Sequence, residues 1–274
     1  VGGSMACGIS DSSGTEGIAM GVSEEPSGAV LDTSGAPLAY FERDERDGKP
    51  WADELFSASG PASGTAASAI VRSLAGWGAT AEGSFGTVLV DAGARRLRTF
   101  HTYTLLLPPP EPQPELPRGL RALPAVRVRP AALREALSAA YPPHHPDHHD
   151  DAIEALAGLY DGTLMGPLHA CSTVAWDGHS AVAAVLVQDS EGEPPLAGPW
   201  ISEVFRHPAP GYAGLGALLL RCVIARASGA GLTALGLSVT DTNPAQAIYE
   251  RLGFTRTATW TDLEFPAVGD RPGP

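Results

Sequence analysis

Two stretches of this chain place backbone and side chains where they could do chemistry. The first runs Val204-Phe-Arg-His-Pro-Ala-Pro-Gly-Tyr-Ala-Gly-Leu-Gly-Ala217. An apolar strand ends, a glycine-bearing turn follows, and a helix begins. The first amides of a helix have no intrahelical partner, and the helix dipole adds positive character there, so such a start suits an anion such as a pyrophosphate. Gly211, Gly214 and Gly216 keep side chains off that backbone. The spacing Gly-x-x-Gly-x-Gly is not the dinucleotide fingerprint, and no Gly-Lys-Ser/Thr follows as in a P-loop. Alone, it reads equally well as an ordinary strand–helix turn. The second stretch is Asn243-Pro-Ala-Gln-Ala-Ile-Tyr-Glu-Arg-Leu-Gly-Phe254. Asn243 suits a helix N-cap, Pro244 the first helical position, and Gly253 the helix end. Tyr249 on its own reads as a ring packed on a sheet.

A third stretch, His144 to Asp151, holds four histidines and three aspartates in eight residues. They share one loop without the paired helical spacing of a zinc motif. No metal is expected there, and a solvated loop is the plain reading. The three cysteines, Cys7, Cys171 and Cys222, are odd in number and form no Cys-x-x-Cys. Neither a disulfide framework nor a structural zinc site fits. Cys222 falls on an apolar helix face and Cys171 starts a strand, which makes both core residues. The expected setting is reducing and cytoplasmic, with no signal peptide and no membrane-spanning run.

The elements that must position these stretches follow from pattern and punctuation. The chain has 274 residues, 43% of them apolar, enough for two modest domains. Its net charge of −13 argues against nucleic acid as a partner. The same charge could steer in a cationic molecule or simply keep the chain soluble. Five of the seven residues from Pro108 to Pro114 are proline. That run cannot form helix or sheet and reads as a stiff linker. The expected division is 1–107 as an N-terminal domain, 108–118 as linker, 119–268 as the main domain and 269–274 as a tail.

In the first half the first thirty residues read as loop. Ala66 to Leu74 reads as a helix, and Thr87 to Val90 and Leu97 to Leu107 as strands. Arg98 to Pro108 and Arg256 to Pro266 are alternating strands that each stop at proline. They are either the trace of a duplicated domain or two ordinary terminal strands. In the second half, strands are expected at Ala125 to Arg129, Cys171 to Trp176, Ser180 to Gln188, Trp200 to Phe205, Leu232 to Val239 and Thr257 to Phe265. Asp177-Gly178 marks a hairpin turn. Helices are expected at Pro130 to Tyr141, Asp151 to Leu159, Gly214 to Ser228 and Pro244 to Leu252. The order βααβββαβαβ indicates an α/β fold around one mixed sheet.

Taken together, the glycine turn and the Asn243 to Phe254 helix resemble the GNAT (GCN5-related N-acetyltransferase) superfamily. The resemblance spans about Leu120 to Pro266 and is most specific from Trp200 to Phe254. It implies the GNAT fold, an α/β fold with a mixed central sheet flanked by helices, beside a smaller N-terminal α/β domain. It also implies acetyl-CoA as acyl donor. Main-chain amides of Gly211, Tyr212, Ala213, Gly214, Leu215, Gly216 and Ala217 would cradle the CoA pyrophosphate. Val204, Phe205 and Arg206 would pair by backbone with the pantetheine arm, and Asn243 and Ala247 would border it. Tyr249 would give a proton to the departing thiolate. One position departs from the family: its motif usually begins with Arg or Gln, where this chain has Gly211. The amide cradle survives that change, but a polar contact to CoA is lost. Arg206, where an apolar residue is more usual, could supply charge to a phosphate.

The implied chemistry is direct acyl transfer in a ternary complex. An amine loses a proton and attacks the thioester, and a thiolate leaves. Tyr249 is the acid candidate, and Glu203, on the strand beside the thioester, is the base candidate, directly or through water. Glu203 reads equally as a solvated charge or an ion-pair partner. A backbone N–H of the same strand would meet the oxyanion. The histidine–aspartate loop would border a primary amine on a small molecule or a peptide, and its carboxylates would attract a cation. The other reading is a GNAT-like module that binds acyl-CoA without turnover. For the N-terminal domain three roles are open: covering the acceptor site, forming a homodimer interface, or being a degenerate second GNAT-like domain.

Overall fold

The structure, a computed structural model, describes residues 26–46, 48–145, 148, 152–189 and 198–267. Cys7 and most of the loop from 146 to 151 lie outside them. By their internal contacts the residues form two compact units. The described residues through Thr102, with those from Arg256 onward, make one, and Tyr103–Thr255 makes the other. The units therefore part at Thr102 and Thr255, not in the proline run. That run belongs to the second unit, where Ser228 Oγ donates to Pro108 O at 2.6 Å and Arg226 Nε to Gln113 Oε1 at 3.1 Å.

In the first unit, β1 (Gly28–Leu31), β2 (Pro37–Arg46) and β3 (Lys49–Ser57) form an antiparallel meander. Helix α1 (Gly64–Ser73) then carries the chain to β4 (Gly78–Glu82), parallel to β3. A parallel pair needs such a crossover. Helix α2 (Gly83–Asp91) follows, and then β5 (Arg95–Leu106), which leaves the unit at Thr102. The last strand of the chain, β11 (Thr255–Glu264), pairs antiparallel with β4 and has β5 on its other side. Phe41, Leu55, Ile70, Leu89, Leu263 and Phe265 belong to the core of this unit.

Thr87 to Val90 is therefore helical, not a strand. A four-residue apolar run fits either structure. The helix is decided by its cap, where Glu82 Oε2 accepts from the amides of Ser84 (3.0 Å) and Phe85 (3.3 Å). It is also decided by burial of Phe85, Gly86 and Leu89 along one face. Gly28 to Val30, expected in a loop, already lie in β1.

In the second unit, β6 (Arg121–Pro124), β7 (Thr173–Trp176), β8 (Ala181–Asp189) and β9 (Pro199–Arg206) are successively antiparallel. Helix α5 (Leu215–Gly229) crosses to β10 (Ala234–Thr240), parallel to β9 and next to β5, and α6 (Gln246–Arg251) follows. One face of the sheet carries α3 (Arg134–Ala140) and α4 (Ala152–Asp161), in a core with Leu186 and Phe205. A second core gathers α5 residues with Val185, Ile201 and Leu237. All of β8 except its last residue is buried, which explains its unbroken apolar run. Ala125 to Arg129, expected as a strand, begins instead with a 3-10 turn at Ala125–Arg127, the strand lying just before it. Pro130 to Leu133 is a 3-10 turn leading into α3. Among the described residues no helix is long and apolar enough to cross a membrane.

Candidate functional site

The site begins where β9 and β10 separate. Their parallel pairing covers only Trp200 with Gly236 and Ile201 with Leu237. Beyond that β9 runs on to Arg206 and β10 to Thr240 without pairing. A Cβ on Gly236 would overlap the Trp200 indole, so glycine there admits the large ring at the point of divergence. Along its other edge β9 stays paired with β8, with a bulge at Ser202.

The direction of each backbone group on β9 follows from one bond. The amide of His207 donates to Val182 O at 2.7 Å, so 207 and 182 are a hydrogen-bonded pair. Antiparallel pairs alternate. Phe205 (opposite Ala184) and Glu203 (opposite Leu186) therefore also turn their amides and carbonyls to β8. Val204 and Arg206 turn theirs the other way, into the opening left by β10. Of the three residues expected to pair with an extended ligand, Val204 and Arg206 turn their backbone groups into the opening and Phe205 does not. Phe205 instead buries its ring among α3 and α4 residues.

The glycine turn follows directly. Pro210–Tyr212 form a 3-10 turn, in which the amides of Tyr212 and Ala213 bond to Ala209 O (3.0 Å) and Pro210 O (3.1 Å). Gly214 is the N-cap of α5, in the left-handed region at φ 78° and with no side-chain cap. The first amide to bond back is that of Leu218, to Gly214 O. The amides of Gly214, Leu215, Gly216 and Ala217 thus have no partner among the described residues, nor has that of Gly211, so of the seven amides expected to meet an anion only those of Tyr212 and Ala213 are taken within the chain. No atom lies within 4 Å of where a Cβ would stand on Gly211, Gly214 or Gly216. There is room for a phosphate against this backbone. Leu215 contributes only its amide, its side chain being buried in the core.

The turn is tied down by side-chain contacts of Tyr212 and Arg206, to Asp177 and His207, that their places in the sequence did not reveal. Tyr212 donates its hydroxyl to Asp177 Oδ2 at 2.8 Å, in the β7–β8 hairpin turn. The amides of Ser180 and His179, then this hydroxyl, hold the Asp177 carboxyl down to about 2. The Tyr212 ring meets His207 edge-on at 5.9 Å. Arg206 donates to His207 O at 3.0 Å.

Asn243 Oδ1 accepts from the Ala245 amide at 2.8 Å, capping the turn that leads into α6. Ala247 is exposed on that helix. Tyr249 is 7% exposed and belongs to the same core cluster as Leu215 at the start of α5 and Val239 of β10. Its ring meets Phe254 at 5.9 Å. Glu203 is half-buried on β9 and, two residues from Phe205, shares the face that carries α3 and α4.

On that face one contact reaches the opening. Tyr141, at the C-cap of α3, donates its hydroxyl to Val204 O at 2.9 Å. Its ring meets His145 at 5.0 Å, and its own carbonyl lies 2.8 Å from His148 Nδ1. The start of the histidine loop is therefore folded around a residue that touches the strand of the site. The sequence reading had Tyr141 only as a helix end. Its position at a helix C-terminus, facing an alternating strand, is the one signal it carries. Among the described residues no group of three or more His, Cys, Asp or Glu side chains is placed to hold a metal ion. Cys171 and Cys222 are buried, and burial pushes the Cys171 thiol up to about 12.

No protein-family model and no curated protein matches the sequence. Solved structures do. A GCN5-related N-acetyltransferase from Sphaerobacter thermophilus is 19% identical, with a TM-score of 0.61 over 88% of this chain and 81% of that one. An acetyltransferase from the GNAT family from Colwellia psychrerythraea is 12% identical, with a TM-score of 0.55 over 86% and 84%. A tandem GNAT protein from the clavulanic acid biosynthesis pathway is 13% identical, with a TM-score of 0.51 over 85% and 80%. The chain thus has a GNAT-like fold over most of its length.

Proposed function

We propose that this chain is an N-acyltransferase that moves an acetyl group from acetyl-CoA to a primary amine, by direct attack within a ternary complex. The observation that carries the reading is the opening between β9 and β10. It leads from backbone groups of Val204 and Arg206 to four unpartnered amides at the start of α5. An extended, amide-bearing arm that ends in a pyrophosphate matches both parts in order.

Acetyl-CoA would supply an activated acyl carbonyl and a thiolate leaving group. Gly214 to Ala217 hold the anionic end and leave the arm to pair with Val204 and Arg206. A β9 amide facing the opening donates to the carbonyl oxygen as charge gathers there. Glu203 takes a proton from the amine, directly or through one water, as the C–N bond forms. The Tyr249 hydroxyl gives its proton to sulfur as the C–S bond breaks. Both side chains return to their starting states by exchange with solvent. The acidic chain favours a cationic acceptor, on a small molecule or a peptide.

Calorimetry with acetyl-CoA and with CoA tests the donor part, and a micromolar Kd, about −8 kcal/mol, is the expected result. No detectable binding would end this reading. The competing reading is a module that binds acyl-CoA without turnover. It draws on Gly211, exposed and without a side chain where the family usually has Arg or Gln. Tyr249→Phe separates the two, because it slows transfer in an enzyme and leaves binding near its original strength.

A further inference from the structure

The first unit repeats the frame of the second. Strand β3 contains Pro50-Trp-Ala-Asp-Glu-Leu-Phe56, and β9 contains Pro199-Trp-Ile-Ser-Glu-Val-Phe205, with Pro, Trp, Glu and Phe at matching places. In both, the tryptophan pairs with a glycine on the parallel strand reached through the next helix: Trp51 with Gly78, Trp200 with Gly236. In both, a Cβ on that glycine would overlap the indole. A bulge follows each tryptophan, marked in β3 by Glu54 at φ 47°. The closing helices match as well. The amide of Ala94 bonds to Leu89 O at 2.9 Å as that of Phe254 bonds to Tyr249 O at 3.1 Å, after Gly93 and Gly253 at φ 110° and 93°.

Against that shared frame, each of the three parts that form the donor site in the second unit is closed, narrowed or missing in the first. Strand β3 pairs with β4 again after its bulge, Leu55 with Ala81. Leu55 stands where Val204 stands in β9, so the backbone there faces a paired strand and not an opening. At the start of α1, Ser63 Oγ accepts from the Ala66 amide at 3.2 Å, which takes the counterpart of one of the four amides that stay open at the start of α5. Leu89 occupies the place of Tyr249 and carries no proton to give. Ion pairs fill the bulge region. Asp53, matching Ser202, bonds to Arg46 at 2.8 Å, and the Arg46 guanidinium stacks on Trp51 at 4.4 Å.

From these three differences we infer that the first unit is a second copy of the acyltransferase frame whose donor cleft is sealed by the β3–β4 pairing, so that the chain carries one acyl-CoA site and not two. The inference rests on the donor reading of the second unit. Calorimetry of the full chain with CoA should give one site per chain. A stoichiometry of two overturns the inference while leaving the donor reading intact. No binding at all overturns the donor reading, and the single-site count falls with it.

Gly216→Asp then assigns the site. An aspartate in a first helical turn is favourable, and no atom blocks its Cβ, so the variant should keep its fold. Its carboxylate would face the CoA phosphates, and binding should weaken at least a hundredfold. Binding to this variant at the original strength would place the site elsewhere and overturn the inference. Amide exchange provides the second readout. Saturating CoA should protect Val204 to Ala217 and leave the matching stretch, Leu55 to Ala67, unchanged. Protection in the latter would show the first cleft to be open.

Discussion

Replacing Tyr141 by phenylalanine should make the protein bind CoA more tightly. In the free chain the Tyr141 hydroxyl donates to Val204 O at 2.9 Å. That carbonyl faces the opening, because Val204 is not a hydrogen-bonded partner of Val185 on β8. An arm pairing with β9 as a third strand would bring an amide N–H to the same oxygen and displace the hydroxyl. A neutral hydrogen bond is worth about 1 kcal/mol net, so removing this competitor should tighten CoA binding about fivefold. Adenosine 3′,5′-bisphosphate is the control. It carries phosphates but no amide arm, so its affinity should not change. Calorimetry with both ligands, on parent and variant, reads the difference directly. Unchanged or weaker CoA binding in the variant would refute the argument: Val204 O would then accept both donors at once, or the arm would pair elsewhere. An equal shift for both ligands would point to a general effect on the fold.

Other expectations follow from the same geometry. Tyr249→Phe should lower kcat by about a hundredfold with little change in the Kd for CoA, the usual scale for losing a general acid; steady-state kinetics with a primary amine checks it. Asp262 is buried and accepts from Thr80 at 2.7 Å and Arg98 at 2.6 Å. Asp262→Ala removes two hydrogen bonds, but Thr80 keeps Asp53 as a partner and Arg98 is partly open to water, so the loss in urea unfolding should be about 1–2 kcal/mol. Cys171 and Cys222 should resist iodoacetamide at pH 8 in the native protein and react once it is unfolded, as peptide mapping would show. The raised Cys171 value has a further consequence. The folded chain holds that proton more tightly than the unfolded one, so its contribution is intact below the ordinary thiol value of 9.0 and is lost as the pH climbs toward about 12.

Much of the second unit was legible because its signals are local. A glycine turn before an apolar helix, and a helix bounded by Asn243 and Gly253, carry their geometry in backbone preferences that neighbours seldom override. The fine structure of the cradle was not legible. Which amides stay unpartnered depends on the 3-10 turn at Pro210, which spends those of Tyr212 and Ala213. In the first unit β2 ends in the charged run Glu42 to Arg46, and no clean alternation marks it. Thr87 to Val90 went to the wrong class because its deciding interaction is a cap from Glu82, outside the run. The terminal strands Arg98 to Pro108 and Arg256 to Pro266 are a weak trace of the inferred duplication. The clearer trace was the pair of Pro-Trp-x-x-Glu-x-Phe strands, which preserve the residues fixing a tryptophan over a glycine. Tyr141 could not be weighed from sequence, since its role depends on which way one carbonyl points.

The position of β11 has a consequence for how the chain reaches its native state. This strand, from the far end of the sequence, lies between β4 and β5 of the first unit. A ribosome releases β1 to β5 early, yet the gap between β4 and β5 stays empty until everything through Glu264 has emerged. The first unit thus folds by a long-range closure, slow in proportion to the sequence separation it spans. Until then it exposes two raw strand edges, with the places of Leu263 and Phe265 unfilled. Cutting the gene at the proline run would make that transient state permanent and yield a fragment prone to aggregate. Supplying Arg256 to Pro266 as a separate peptide should rescue it.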